Sequence, residues 1–107
     1  MPDNEENIYT VQVSRRADSM MQEHVLFLSE VNIAAAERLL DEYTERVIGL
    51  KNIPTRYPRL DDPSVPVGKY RKLHLCERYL LLFQIRENTV YVDYVVDCRQ
   101  QYQWLID

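Results

Sequence analysis

Four of the five prolines fall between Pro54 and Pro66, and that stretch separates two different hydrophobic periods. Ahead of it, apolar residues recur mostly at three- and four-residue steps. Beyond it, they alternate or run together. Proline fixes φ, offers no backbone N–H, and disfavours helical backbone at the residue before it. No helix or central strand can therefore run through residues 54–66, and the regular structure on each side must form separately. The stretch itself reads as a stiff, irregular connection.

Upstream, Ile8 to Ser14 alternate, with Tyr9, Val11 and Val13 opposite Thr10, Gln12 and Ser14. Period two over this length predicts a half-buried strand. Ser14 is placed to cap a helix, because its hydroxyl can accept from an orphan N–H two or three residues on. Ala17, Met20, Met21, Val25 and Leu28 then lie on one helical stripe. Asn32 is a second N-cap. Ala36, Leu39, Leu40, Tyr43, Val47 and Leu50 make the stripe of a second helix, which must stop before Pro54. Two amphipathic helices with a short join form an αα-hairpin. Met20 and Met21 read as core filler, and His24 as a boundary histidine with its ring satisfied.

Downstream, Lys69 to Leu75 alternate, with Arg71, Leu73 and Leu75 against Tyr70, Lys72 and His74. Cys76-Glu77-Arg78 is a turn and Glu87-Asn88 a hairpin loop. Tyr79–Ile85 (YLLLFQI) and Thr89–Val96 (TVYVDYVV) are apolar on both faces, as central strands are. Trp104 and Leu105 are expected to anchor the tail. The order predicts an α+β domain: an N-terminal strand, a helical hairpin, then a three-stranded antiparallel meander completing a four-stranded sheet. The hairpin should cover one sheet face and leave the other open. A chain of 107 residues has room for one such core, so residues 1–107 read as one domain with a disordered acidic lead over 1–7.

Charge and composition narrow the function. The chain has only 2 glycines and no phosphate-binding glycine motif. No apolar run approaches a membrane span, and the start MPDNEEN is unlike a signal peptide, so a cytoplasmic protein is expected. Cys76 and Cys98 make no disulfide framework, and with His24 and His74 they lack zinc-finger spacing. No metal or other cofactor is expected. The net charge of −4 argues against nonspecific nucleic-acid binding. It is unevenly spread, however. Residues 18–45 carry seven acids against Arg38, whereas residues 46–72 carry seven bases against Asp61 and Asp62.

Taken in order, YTVQVSRRA at Tyr9–Ala17, AAAERLL at Ala34–Leu40, the exit at Leu50–Pro54, KYRKL at Lys69–Leu73, YLLLFQI and DCRQQYQWL at Asp97–Leu105 resemble the RelE/ParE superfamily. These are the toxins of type II toxin–antitoxin modules, some known for plasmid stabilisation. The resemblance covers nearly the whole chain and implies a growth inhibitor restrained by a cognate antitoxin. RelE-like members are mRNA endoribonucleases that block translation at the ribosome; ParE-like members bind DNA gyrase and are not nucleases. Fold alone does not choose between them.

Metal-free RNA cleavage needs a base for the 2′-OH, cations for the phosphate and an acid for the leaving oxygen. The resemblance implies Arg71, Arg99 and Tyr102 as catalytic residues, with Lys69, Lys72 and His74 as RNA-binding ones. Arg99 matches the arginine after the last strand, and Tyr102 resembles the tail tyrosine that stacks on a base. One departure is marked: RelE-like nucleases carry an arginine after the tyrosine opening the third strand, where this chain has Leu80. Ribosome-dependent mRNA cleavage is the first expectation. A gyrase-binding inhibitor is the alternative, and a degenerate toxin fold that only binds an antitoxin is the third reading.

Overall fold

The computed structural model describes residues 8–63 and 65–98. Arg99, Tyr102, Trp104, Leu105 and the first seven residues lie outside the described residues, so the expectations placed on them are not addressed by it.

Strand β1 (Thr10–Val13) leads into helix α1 (Arg15–Val31). Ser14 caps α1 as its position foretold, its Oγ accepting from the Ala17 N–H at 3.0 Å. Asn32 then serves both helices. Its backbone N–H donates to the Leu28 carbonyl at 2.7 Å, closing α1, and its side-chain oxygen accepts from the Ala35 N–H at 3.1 Å, opening α2 (Ile33–Gly49). One extended residue thus makes the hairpin bend, with cap bonds that contribute about 1 kcal/mol each. Ile53 sits at φ 49°, left-handed and rare for a β-branched residue, directly before Pro54. A 3₁₀ turn follows at Pro54–Arg56.

The meander is β2 (Arg71–Leu75), β3 (Tyr79–Arg86) and β4 (Thr89–Asp97). Glu87, at φ 58°, supplies the left-handed residue that a two-residue hairpin loop needs. The sheet order is β1-β4-β3-β2, with β1 parallel to β4 and the other pairs antiparallel. The α+β architecture therefore stands as expected. Val13 departs from its expected inward position: it is 38% exposed, at the end of an edge strand.

The hairpin packs on one sheet face. Ala17, Met21, Leu39 and Leu50 meet Leu73, Leu75, Leu81, Phe83, Val90, Val92 and Val95, all buried. The other face is not open, and here the sequence-based expectation is corrected. Leu60 and Val65 of the proline-rich connection, with Tyr70 just before β2, pack on Leu80, Leu82, Tyr94 and Val96. The cause is in the strands. β3 and β4 are apolar on both sides, and a large exposed apolar face is costly in water. The connection is held alongside the edge strand β2, where Arg59 bridges Arg71 antiparallel, with Leu60 N–H donating to Tyr70 O at 2.8 Å and Lys72 N–H to Pro58 O at 3.0 Å.

Candidate functional site

Strand register sorts the described site candidates. Lys72 pairs with Leu82 and His74 with Leu80, so both belong to the connection-covered face. Arg71 pairs with Phe83 and belongs to the hairpin face. Its guanidinium is occupied there: Nη1 donates to the Tyr57 carbonyl at 2.7 Å and to the Thr55 carbonyl at 3.2 Å. Arg71 thus pins the 3₁₀ turn and does not converge with Lys72 and His74. Lys69 is exposed, with its ammonium 5.4 Å from the Tyr70 ring centre. Lys72 and His74 share a strand face, His74 at the sheet edge also lining a groove with Arg38, Glu42 and Arg46 of α2; Arg71 is apart from them.

Leu80 decides what that face can do. It is 4% exposed, packed beneath the connection. The position where a RelE-like nuclease carries an arginine is here part of a core. A guanidinium at this point would need a buried partner, because an uncompensated charge in an apolar site costs several kcal/mol.

Beside this plug is a polar cluster that pattern reading did not single out. The β3–β4 register slips between Leu82 and Phe83: Leu82 faces Tyr94, while Phe83 faces Val92. Asp93 is the extra residue of a bulge. Its carboxylate accepts from Gln84 Nε2 at 2.7 Å, and its carbonyl accepts from Ser14 Oγ at 3.3 Å. The Tyr70 phenol is pushed well above its ordinary range by burial first, then by the Asp93 charge, with a smaller opposing pull from Arg16. Arg16 lies 4.4 Å over the Tyr94 ring, and Tyr70 meets Tyr94 edge-on at 5.9 Å. The one sequence signal was a carboxylate interrupting an otherwise apolar strand, VYVDYVV.

Other reactive groups are quiet. His24 Nε2 lies 2.8 Å from the Val95 carbonyl, the satisfied boundary role expected of it. The Cys76 thiol is raised by burial and then by Glu42, whose carboxylate also accepts from the Cys76 N–H at 2.9 Å. The Cys98 thiol is raised by burial and then by Asp97. Neither is an activated thiolate. Among the described residues no group of three or more His, Cys, Asp or Glu is placed to hold a metal ion. No described helix is long and apolar enough to cross a membrane. What the rim offers is cations and aromatic rings around an apolar plug, an arrangement suited to binding a surface.

No protein-family model matches the sequence, and no curated protein matches it. Among solved structures, a chain of the "Chromosomal ParDE TA system from P. aeruginosa" superposes with a TM-score of 0.69. The alignment covers 85% of this chain and 97% of that chain at 12% identity. An N-terminal strand, two helices and three further strands in a β1-β4-β3-β2 sheet thus give this chain the fold found in a ParDE system, the RelE/ParE-like fold its sequence resembles.

Proposed function

We propose that this chain is the toxin of a type II toxin–antitoxin pair, acting in the cytoplasm by binding DNA gyrase and not by cutting RNA. The fold shared with a ParDE-system chain supports the toxin reading. The observation that favours binding over cleavage is the burial of Leu80 under the connection. A nuclease centre on that face needs fixed cations converging on one phosphate. Here the position is apolar, and the guanidinium of Arg71 is held by carbonyls on the other side of the sheet.

The partner in this reading is a cognate antitoxin. The outer side of the hairpin suits it. Leu26, Leu40 and Ile48 are 66%, 47% and 57% exposed, among the acids of the two helices. A groove of about 330 Å³ lined by Met21, Val25, Leu26, Leu40 and Tyr43 lies between the helices. Leu40, expected in the inner stripe, belongs to this outer surface.

The second reading is ribosome-dependent mRNA cleavage, with Arg71, Arg99 and Tyr102 catalytic and Lys69, Lys72 and His74 holding RNA. It is favoured by one placement: Lys72 and His74 share a sheet face, and the Lys72 charge reaches Cys98, the residue before Arg99. Induction of the protein alone in a bacterial host, with thymidine and amino-acid incorporation followed over the first minutes, separates the readings. The expected result is an early fall in DNA synthesis, with purified protein inhibiting gyrase supercoiling. An early fall in protein synthesis that Arg99→Ala abolishes supports cleavage instead. Unimpeded growth with soluble protein accumulating leaves only the antitoxin-binding role of a degenerate toxin fold.

A further inference from the structure

Arg46, in the last turn of α2, and Arg56, in the 3₁₀ turn, converge on a single atom. Arg46 Nη1 donates to Tyr57 Oη at 3.3 Å, and Arg56 Nη2 donates to the same oxygen at 3.4 Å. The Arg56 guanidinium also lies 5.2 Å from the Tyr57 ring centre. Two guanidiniums gathered on one neutral oxygen repel each other. Among the described residues no carboxylate forms an ion pair with either of them. The phenol accepts from both, and its own O–H is left without a protein acceptor among the described residues.

This corner opens into a groove of about 500 Å³ lined by Glu42, Glu45, Arg46, Gly49, Arg56 and Tyr57. Its apex gathers the donors of two guanidiniums around the phenol oxygen of Tyr57. Two acids share the groove wall: Glu45, and Glu42, whose carboxylate accepts from the Cys76 N–H at 2.9 Å. The corner is also built firmly. The Tyr57 ring stands edge-on to buried Phe83 at 6.0 Å, and the Tyr57 carbonyl accepts from Arg71 at 2.7 Å.

We propose that this corner binds a single phosphate group, Arg46 and Arg56 each donating to its oxygens and the Tyr57 O–H donating to another. Guanidinium forks match phosphate geometry and give charge-assisted bonds stronger than neutral ones. A bound phosphate anion offsets the repulsion between the two arginines and supplies the missing acceptor for the phenol. The field at the corner has the required sign. Burial pushes the Tyr57 phenol up, but the hydrogen bonds and charges of Arg56 and Arg46 bring it net below its ordinary value, glutamates notwithstanding. Glu45 on the wall disfavours a second phosphate, so the ligand is a phosphate mono- or diester and not a polyphosphate. The group can come from a free nucleotide or from a nucleic-acid backbone.

The test is a titration of the full-length ¹⁵N-labelled chain with inorganic phosphate at constant ionic strength, with chloride as the control anion. The Arg46 and Arg56 Nε–H signals and the amides of residues 55–57 report binding. Saturable shifts confined to these groups are expected. Arg56→Ala, on an exposed side chain, should weaken binding on the order of tenfold, one charge-assisted contact being lost. Tyr57→Phe, which keeps the ring on Phe83, should weaken it by a smaller factor. Shifts that grow linearly with concentration, that chloride reproduces, or that Arg56→Ala leaves unchanged overturn the proposal. With the site established, a nucleoside 5′-monophosphate and a single-stranded oligonucleotide without terminal phosphates identify the source by which moves the same signals at lower concentration.

Discussion

The two faces of the sheet are covered by different means, and the contrast explains most of what this molecule offers a partner. The first face lies under two 17-residue helices, each capped, with regular stripes that interlock with β2, β3 and β4. The second lies under an irregular segment running up to β2, which contributes three buried side chains, Leu60, Val65 and Tyr70. The first cover is a cooperative structure with its own hydrogen-bond ladder. The second is held by a few backbone bonds and by apolar contact, so it belongs to the part of the fold that opens at lower free energy. The polar features follow the same division. The hairpin side carries acids and the arginine-held Tyr57; the connection side carries the rim cations, the Asp93 bulge and Tyr70.

Four experiments probe that difference. The largest effect is expected on the hairpin face. Phe83 is fully buried there, and Phe83→Ala should lower stability by about 3–5 kcal/mol, read from the urea midpoint at unchanged slope. Leu80→Arg, placing a cation in the second face, should cost about 3 kcal/mol, because the charge has no buried partner. Hydrogen exchange locates the damage. The Leu60 N–H, bonded to Tyr70 O, should lose protection while the amides of α1 and α2 keep theirs. Equal loss in the helices means that the two covers are one cooperative unit. Leu60→Ala comes third, at about 2 kcal/mol, the low end for a buried leucine because an irregular segment can settle into the space.

The smallest effect is a pH dependence that differs in sign between the faces. The Tyr70 phenol is raised when folded, chiefly by burial. Its contribution is fully present below the ordinary phenol value of 10.0 and is lost as pH rises through the folded value. The Tyr57 phenol is lowered when folded, the paired arginines outweighing burial. Its contribution is present above the ordinary value and is lost as pH falls through the folded one. Between about pH 9 and 11, the stability advantage of wild type over Tyr70→Phe should therefore shrink, and that over Tyr57→Phe should grow. Parallel urea titrations of the two variants check this, and a shared direction refutes the assignment of opposite fields to the two sites.

Much of the fold was legible because its signals are local. A cap bond spans three residues, so Ser14 and Asn32 could be read directly as helix starts. The left-handed residue of the Glu87-Asn88 loop sits between two runs whose periodicity was plain. The alternation of Arg71, Leu73 and Leu75 against Lys72 and His74 already contained the separation of Arg71 from the other basic residues. Grouping Arg71 with Lys72 and His74 in one implied site set that alternation aside. The arginine–tyrosine corner was not legible, because Arg46 and Tyr57 lie 11 residues apart across a helix end and a left-handed turn. Nor was the Asp93 bulge, since a register slip is a property of two strands together.

The sequence alone, then, determined the elements, their order and the apolar character of both sides of β3 and β4. Periodicity, capping and proline act within a few residues and do not depend on the rest of the chain. Only the tertiary structure decided what supplied the second cover and which face each cation joined. Leu80 and Leu82 demanded burial wherever the chain could provide it, and the connection that provides it lies elsewhere in the sequence. The same packing that buried Leu80 closed the face where cleavage chemistry was expected, and the same turn that redirected the chain at Ile53 brought Arg56 and Tyr57 to the end of α2.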